Sequence, residues 1–314
     1  MQKSKITIGL ILYKGEKYLS FSLSSLFAQD YKNVEFLIRD QSPKYEAYNY
    51  IKKNLPEVFK KVKIEKGNNL MHSGGHNFLI NKMKGDYYFC VSQDMYYPKD
   101  FVSKVVVEME KKKNIHYGSA TVKIMNWDFK TTIQSPEFRI QNSSKIDSCG
   151  IGRTFYYRFY DIGQGEEDLG QYDTKREVFG ASGALAIYRK SALEKVAVLK
   201  SGKEKEYFDK RLHYKNDVDI SLRLQRGLER CLFISNVKVY HDRKLSSHKS
   251  RWKKSSFEKR NSYFGNLVIL KKMKTADMSF FSRVSMNIYY TMMHAYVFFF
   301  ERDLLKEHKK VRKI

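Results

Sequence analysis

In its first 112 residues the chain passes four times from a short apolar run into a segment with helical spacing, and no other feature constrains its fold as much. Ile6 to Leu12 leads to a helical pattern at Tyr18 to Ala28, and Val34 to Ile38 leads to one at Tyr45 to Asn54. Val62 to Ile64 precedes Asn77 to Met83, and Tyr87 to Val91 precedes Lys99 to Lys112. Continuous apolar runs mark strands buried on both faces, as in a parallel sheet covered by helices. Strand–helix–strand units close with right-handed crossovers. The pattern predicts an α/β fold with a Rossmann-like, mostly parallel central sheet flanked by helices. Ligands of such sheets bind beyond the carboxyl ends of the strands, and Tyr13, Asp40 and Asp94 each lie just past one.

After Ile115 the rhythm breaks. Ala120 to Met125 reads as a strand, and Phe129 to Asp173, polar, aromatic and glycine-rich, reads as an inserted loop region. Val178 to Tyr188 and Cys231 to Val239 read as strands, and from Lys253 onward the pattern is mostly helical. No internal repeat or low-complexity linker interrupts the chain, and 314 residues can bury a full core. The expected organisation is one domain over 1–252, in halves of about 1–114 and 115–252, with a helical extension over 253–314.

A net charge of +25 calls for an anionic partner: nucleic acid, an anionic membrane surface or a phosphorylated substrate. Lys and Arg are spread along the whole chain without a nucleic-acid-binding signature, so no nucleic-acid partner is expected. Cys90, Cys149 and Cys231 are widely spaced, which suits a reducing compartment and gives neither a disulfide framework nor a zinc spacing. Ile6 to Leu12 is short for a signal peptide, and no cleavage site follows it. Val284 to Phe300 is the most membrane-like stretch, but it is short for a span and carries Asn287, Thr291 and His294. With Arg283 before it and Glu301-Arg302-Asp303 after, it reads as a helix that is buried or lies in the membrane interface. The basic tail Lys306 to Lys313 reads as frayed. The expected location is the cytoplasm, with peripheral attachment to the inner face of a membrane as one of two readings.

Two acids far apart in sequence stand out. Asp94 leaves the run Tyr87 to Val91 in Ser92-Gln93-Asp94, where a carboxylate can hold a divalent cation. Asp217 opens a helical run carrying Ile220, Leu222 and Leu224. A helix start favours the carboxylate anion and places it to act as a base, although a plain capping role is equally ordinary there. Asp40, at the second strand end, can read the imide edge of a pyrimidine or simply hold a turn. Gly74 and Gly75 let the backbone approach a ligand closely, and a helix start after them favours phosphate contacts. His72 and His76 have no carboxylate near them in sequence and make a poor metal pair.

Taken in order, these motifs resemble family 2 glycosyltransferases of the GT-A fold, especially the bacterial rhamnosyltransferase-like members, over roughly Ile6 to Lys272. Ile11 to Leu19, followed by Ser24 to Tyr31, resembles the family's opening strand, turn and helix, with Lys14 where the family usually has Asn. Ile38-Arg39-Asp40-Gln41-Ser42 resembles the segment whose Asp accepts from a nucleobase N3–H, and Asn69 to Asn77 the glycine-rich turn before a helix. Ser92-Gln93-Asp94 stands at the DXD motif with one carboxylate kept. Val178 to Arg189 resembles the small-residue strand under the acceptor. Asn216-Asp217-Val218-Asp219 stands where the family usually reads Glu-Asp-x-Asp, with Asp217 at the general-base position and Asp219 in a supporting role. Val239-Tyr240-His241-Asp242, followed by Ser246-Ser247, matches a region whose His often joins the metal. Lys259 to Leu267 resembles the closing Arg-Asn-aromatic helix, and Ile146 to Gly150 with Gly163 to Asp173 the loop region of the rhamnosyltransferase-like subset.

The resemblance implies inverting transfer of a sugar, rhamnose as first guess, from a dTDP- or UDP-type nucleoside-diphosphate sugar. The acceptor would be a glycan or a lipid-linked acceptor in cell-surface polysaccharide synthesis. It implies Asp217 as base and Mn²⁺ or Mg²⁺ held by Asp94 and His241. The nucleotide-sugar would lie in the 1–114 half, on Tyr13, Asp40, Ser42, Asn69, Gly74, Gly75, Asn77, Gln93 and Asp94. The acceptor would lie in the 115–252 half, on Gly180, Ala181, Ser182, Gly183 and Asn216. Gln93 and Asn216, standing in place of acids, keep a non-catalytic glycosyltransferase-like protein open. The charge keeps a nucleic-acid-binding basic protein as the remaining rival, and a nucleotidyltransferase would carry a richer acidic metal site. Oligomeric state has no signal in the sequence.

Overall fold

The computed structural model of the chain describes residues 3–134, 143–199, 204–243, 254–274 and 278–312. The first part runs β1 (Ile6–Leu12), α1 (Glu16–Phe27), β2 (Val34–Asp40), α2 (Glu46–Asn54), α3 (Pro56–Phe59), β3 (Ile64–Lys66), α4 (Met71–Ile80), β4 (Tyr87–Val91), β5 (Met95–Tyr96) and α5 (Phe101–Glu110). The middle part holds β6 (Tyr117–Asn126), α6 (Phe129–Gln134), β7 (Ile146–Ser148), β8 (Ile151–Arg153), β9 (Phe159–Asp161), β10 (Glu177–Val178), β11 (Leu185–Arg189) and α7 (Lys190–Val196). Then come β12 (Val198–Leu199), β13 (Lys205–Glu206), α8 (Asn216–Arg226), β14 (Arg230–His241), α9 (Ser256–Met273), α10 (Phe280–Phe300) and α11 (Glu307–Arg312).

The main sheet has the order β10-β14-β6-β11-β4-β1-β2-β3. Its β4-β1-β2-β3 part is parallel, and β14 runs parallel to β6. Strand β11 lies antiparallel between β4 and β6 and makes the sheet mixed. On one face, Leu19 and Leu23 of α1, Ile51 of α2 and Val102, Val105 and Met109 of α5 pack against β1 and β4. On the other, Leu79 and Ile80 of α4, Leu193 of α7 and Ile220 and Leu224 of α8 cluster with Tyr88 and Cys90 of β4, Ala186 and Tyr188 of β11 and Phe233 of β14. This three-layer arrangement buries β1 on both sides, as its apolar run requires.

Several sequence expectations shift. Strand β3 begins at Ile64, not Val62, and β14 runs on to include His241. Helix α4 begins at Met71, so the glycine-rich segment is the helix and not a turn before it. Asn69 Oδ1 accepts from the Met71 N–H (2.8 Å) and starts the helix early. A Cβ on Gly75 would lie 2.8 Å from Ile11 Cδ1, so this glycine lets α4 approach the end of β1. The expected strand Val178 to Tyr188 is two strands. Strand β10 pairs with β14, while β11 pairs with β4 and β6, so the chain must cross the sheet between them, and Ser182 and Leu185 form the bridge at that turn.

The expected loop region over 129–173 holds α6, β7, β8 and β9 among its described residues. It is pinned by Lys123 of β6, which is 1% exposed and pairs with Asp168 and Asp173. The basic tail is not frayed through Arg312: α11 packs against α9 and buries Glu307 and Val311. Helix α9 starts with a capping box, Ser255 and Glu258 each bonding the other's backbone N–H. Its Ile269 and Met273 join Val218 and Leu222 of α8 and Met286 and Tyr290 of α10 in one apolar cluster. Among the described residues no helix is long and apolar enough to cross a membrane.

Candidate functional site

The carboxyl ends of β1, β4 and β14 and the start of α8 meet around one cleft. Beyond β1 the turn is tight: Lys14 has φ +49°, a left-handed conformation that Asn adopts more readily than Lys. Gln93, following β4, closes this turn. Its side-chain oxygen accepts from the Tyr13 N–H (3.1 Å) and its amide donates to the Tyr13 carbonyl (2.8 Å). Only Gly15 leaves room for that amide, since a Cβ there would meet the Gln93 carboxamide. Gln93 therefore works as a strap between two strand ends.

Asp94 reaches His241, with Oδ1 3.5 Å from Nε2, and its carboxylate is 31% exposed. The other imidazole nitrogen, Nδ1, lies 2.9 Å from Asp147 Oδ2. Arg243 then bridges Asp147 (2.8 Å) and Asp161 (3.0 Å). Burial works against protonation of His241, but the Asp94 charge and the bonds to Asp147 and Asp94 outweigh it and push its pKa up to about 9. One carboxylate and one imidazole thus converge, and a divalent cation held by both would take the place of the proton on Nε2. The outer carboxylate of Asp147 fixes the ring's orientation, as metal-bound histidines require.

On the facing side, Lys215 has φ +68° and turns the chain into α8. Asp217 Oδ1 accepts from the Val218 N–H (2.8 Å), and Oδ2 accepts from the Gly183 N–H (3.2 Å). Burial and the negative charge of Asp161 raise the Asp217 pKa, against the pull of Lys215 and the two backbone donors. Asn216 lies 2.9 Å from His72 Nδ1. Asp219 is fully buried and bonded to Arg223 and Lys272, a structural anchor between α8 and α9.

A cavity of about 780 Å³ is lined by Asp94, His241, Arg243, Ser182, Gly183, Asn216 and Asp217, and on one side by Lys254, Glu258 and Ser262. A smaller one of about 240 Å³ is lined by Tyr13, Asn69, Met71, His76, Gln93 and Asp94. The two share His72, Ser92 and Asp94. The helical extension thus contributes to the cleft wall.

Not all residues singled out from the sequence face this cleft. Asp40 is 0% exposed, and its two oxygens accept from the Ser42 and Tyr48 N–H groups. Ser42 is buried and accepts from the Lys14 N–H. Asn77 clamps the backbone of Tyr207 and Phe208. Gly74 and Gly75 sit inside α4, and Gly180 packs on Ser221 of α8. Ala181 belongs to the apolar cluster under the sheet. Sequence reasoning gave no role to Asp147, Asp161, Arg243 or His72. The stretch around Asp147 was noticeable, but a partner 94 positions away in sequence leaves no spacing signal.

Residues 7–197 match the family model described as "Glycosyl transferase family 2". No curated protein matches the chain. Among solved structures, S. aureus TarS is similar at 15% identity and a TM-score of 0.55, covering 95% of this chain and 44% of TarS. The chain thus spans less than half the length of that relative. S. aureus TarS 1–349 in complex with UDP-GlcNAc is similar at 15% identity and a TM-score of 0.57, over 88% of this chain and 68% of that one. The Pyrobaculum calidifontis mannosyltransferase PcManGT, in complex with GDP-Man and Mn²⁺, is similar at 11% identity and a TM-score of 0.57, over 99% of this chain and 74% of its own. At these identities the likeness is one of fold, the GT-A arrangement with a helical C-terminal part.

Proposed function

The chain belongs to glycosyl transferase family 2, and from that premise we propose that it transfers a sugar from a nucleoside-diphosphate donor with inversion at the anomeric carbon. The observation that carries this reading is that Asp94 and Asp217, from two halves of the chain, line one cavity. An acceptor hydroxyl in the larger cavity attacks the anomeric carbon while the diphosphate leaves from the opposite face. The transition state has oxocarbenium character, and no covalent nucleophile is needed. Asp217 takes the hydroxyl proton. Its raised pKa suits a base, and the Gly183 and Val218 N–H groups hold its carboxylate in place. Ser182, Gly183 and Asn216 border the acceptor, and Tyr13, Asn69 and Gln93 border the donor. Asp94 and His241 would hold Mn²⁺ or Mg²⁺. When bound, such an ion neutralises charge on the diphosphate.

The donor proposed is a pyrimidine nucleotide sugar of the UDP or dTDP type, with rhamnose the first sugar to test. Motif order supports it, and TarS 1–349 binds UDP-GlcNAc. Asp40, closed off by its own turn, is withdrawn as the base-reading group. Release of nucleoside diphosphate, followed with a panel of donors, tests the function. Turnover with a UDP or dTDP sugar supports it. Absence of turnover with every donor, together with absence of nucleotide binding, favours the non-catalytic reading. A calorimetric preference for GDP over UDP and dTDP removes the pyrimidine assignment.

The acceptor proposed is a glycan or lipid-linked acceptor at the cytoplasmic face of an anionic membrane, in cell-surface polysaccharide synthesis. Helix α10 supports this. Phe281 (79% exposed), Val284, Ile288, Met292 and Phe299 recur at helical spacing on its outer side, while Met286, Tyr290 and Val297 face inward. An apolar stripe on a chain of net charge +25 fits an anionic bilayer surface. Co-sedimentation with anionic liposomes should occur at low salt and fall with salt and on Ile288→Asp. Concentration-dependent self-association that the same substitution abolishes, without liposome binding, would assign the stripe to a second copy instead.

A further inference from the structure

We infer that His72, His76 and Cys90 form a zinc site, separate from the Asp94–His241 pair. His72 and His76 are one helical turn apart on α4, and Cys90 projects from β4 beneath them. Their three ligand atoms all lie within 4.8 Å of one another. Cys90 Sγ is 3.3 Å from His76 Nε2 and 4.0 Å from His72 Nε2. Zinc bonds of about 2.0–2.1 Å to nitrogen and 2.3 Å to sulfur set tetrahedral N···S edges of roughly 3.5 Å. The side chains need only small movements to meet them.

The outer contacts set what zinc would require of the two rings. The His76 Nδ1 is 2.7 Å from the Tyr88 hydroxyl, and the His72 Nδ1 is 2.9 Å from the Asn216 amide. With the Tyr88 oxygen as acceptor, His76 Nδ1 carries its proton and its Nε2 lone pair aims inward; the atom facing His72 Nδ1 is the Asn216 amide nitrogen, so zinc binding requires that carboxamide to turn over and present its oxygen, which moves the His72 proton to Nδ1 and frees its Nε2. One thiol hydrogen can then serve only one of the two Nε2 atoms, and only weakly. A zinc ion satisfies both nitrogens and the sulfur together. Burial also holds both imidazoles in the neutral form that a metal needs, with His72 down at about 4. On binding, the Cys90 S–H bond breaks, the S–Zn bond forms and one proton leaves to solvent. A thiolate with two imidazoles selects Zn²⁺ over Mn²⁺ or Mg²⁺. His72 and His76 both line the smaller cavity, which gives the ion an entry path.

The test uses the full chain stripped of metal. Titration with Zn²⁺ against a chromophoric chelator should show one equivalent bound, retained in the Asp94→Ala, His241→Ala double variant. Co²⁺ in its place should give a thiolate-to-metal charge-transfer band. Cys90→Ser should abolish that band, and Tyr88→Phe should weaken Zn²⁺ affinity about 10- to 100-fold. X-ray absorption at the zinc edge needs no variant, and it should show one sulfur and two imidazole nitrogens. A zinc shell without sulfur, loss of the bound equivalent in the double variant, or no binding to the folded wild-type chain would each overturn the site.

Discussion

The two walls of the cleft put the same side chain to opposite use. On one wall His241 stands between Asp94 and Asp147, and its pKa rises to about 9. On the other, His72 faces Cys90 and Asn216, and burial lowers its pKa to about 4. Both imidazoles are largely enclosed, so enclosure alone does not decide protonation. Carboxylate neighbours do, because two nearby negative charges outweigh the loss of water. Asp217, at the start of α8, shows both effects at once. Burial and the Asp161 charge raise its pKa, and Lys215 and two backbone donors only partly offset them. In the function proposed above, one wall would hold a cation and a diphosphate, and the other the base. Catalytic sites commonly separate their titrating groups in this way.

The sharpest way to break this division is Asp217→Asn. The substitution keeps shape and removes the base, so turnover should fall about 10²- to 10⁴-fold. Nucleotide affinity, set on the other wall, should stay unchanged by calorimetry. Turnover near wild type would move the base elsewhere. The charged wall is tested by Asp147→Asn. Asp147 touches no reacting atom in this reading and acts by orienting His241, so Mn²⁺ affinity should drop about 10- to 100-fold. Asp147→Glu should restore part of it. An unchanged affinity would mean that His241 is no ligand.

A stability measurement separates packing from binding at the small residues near Asp217. A Cβ on Gly180 would run into the Cβ and Oγ of Ser221, so Gly180→Ala should overpack α8 and cost about 1–3 kcal/mol in denaturant unfolding. A Cβ on Gly183 would lie 3.1 Å from Asp217 Oδ2 at the cleft itself. Gly183→Ala should therefore act on turnover more than on stability.

Much of this was legible in sequence, and what was not has a common cause. Apolar runs located β1 and β4 because a strand buried on both faces needs apolar side chains at nearly every position. Asp94 and Asp217 were visible because each follows or opens such a regular element. Asp40 looked equally functional. Nothing local says that its oxygens go to Ser42 and Tyr48 and not to a ligand. The glycines at 74 and 75 looked like a turn because the same residue serves turns and close packing. Asp147, Asp161 and Arg243 stayed hidden because their partners arrive through tertiary folding from distant segments. The Val178 to Tyr188 run looked like one strand because hydrophobicity does not record that its two ends pair with different neighbours.

The smallest expected effect concerns how far the two walls act on each other. Asp161 belongs to the charged wall through Arg243 and Ser148, yet its charge contributes to raising the Asp217 pKa. A base works only when deprotonated, so activity should fall as pH drops through the Asp217 pKa. Asp161→Asn removes a negative charge that disfavours the Asp217 anion, which lowers that pKa. The acid limb of kcat/KM against pH should move to lower pH in the variant, with nucleotide affinity little altered. The opposite change sharpens the point. Lys215 lowers the Asp217 pKa, so Lys215→Met should move the same limb to higher pH. If neither substitution moves the limb, then the group titrating in turnover is not Asp217, and the division between a cation wall and a base wall fails at its second half.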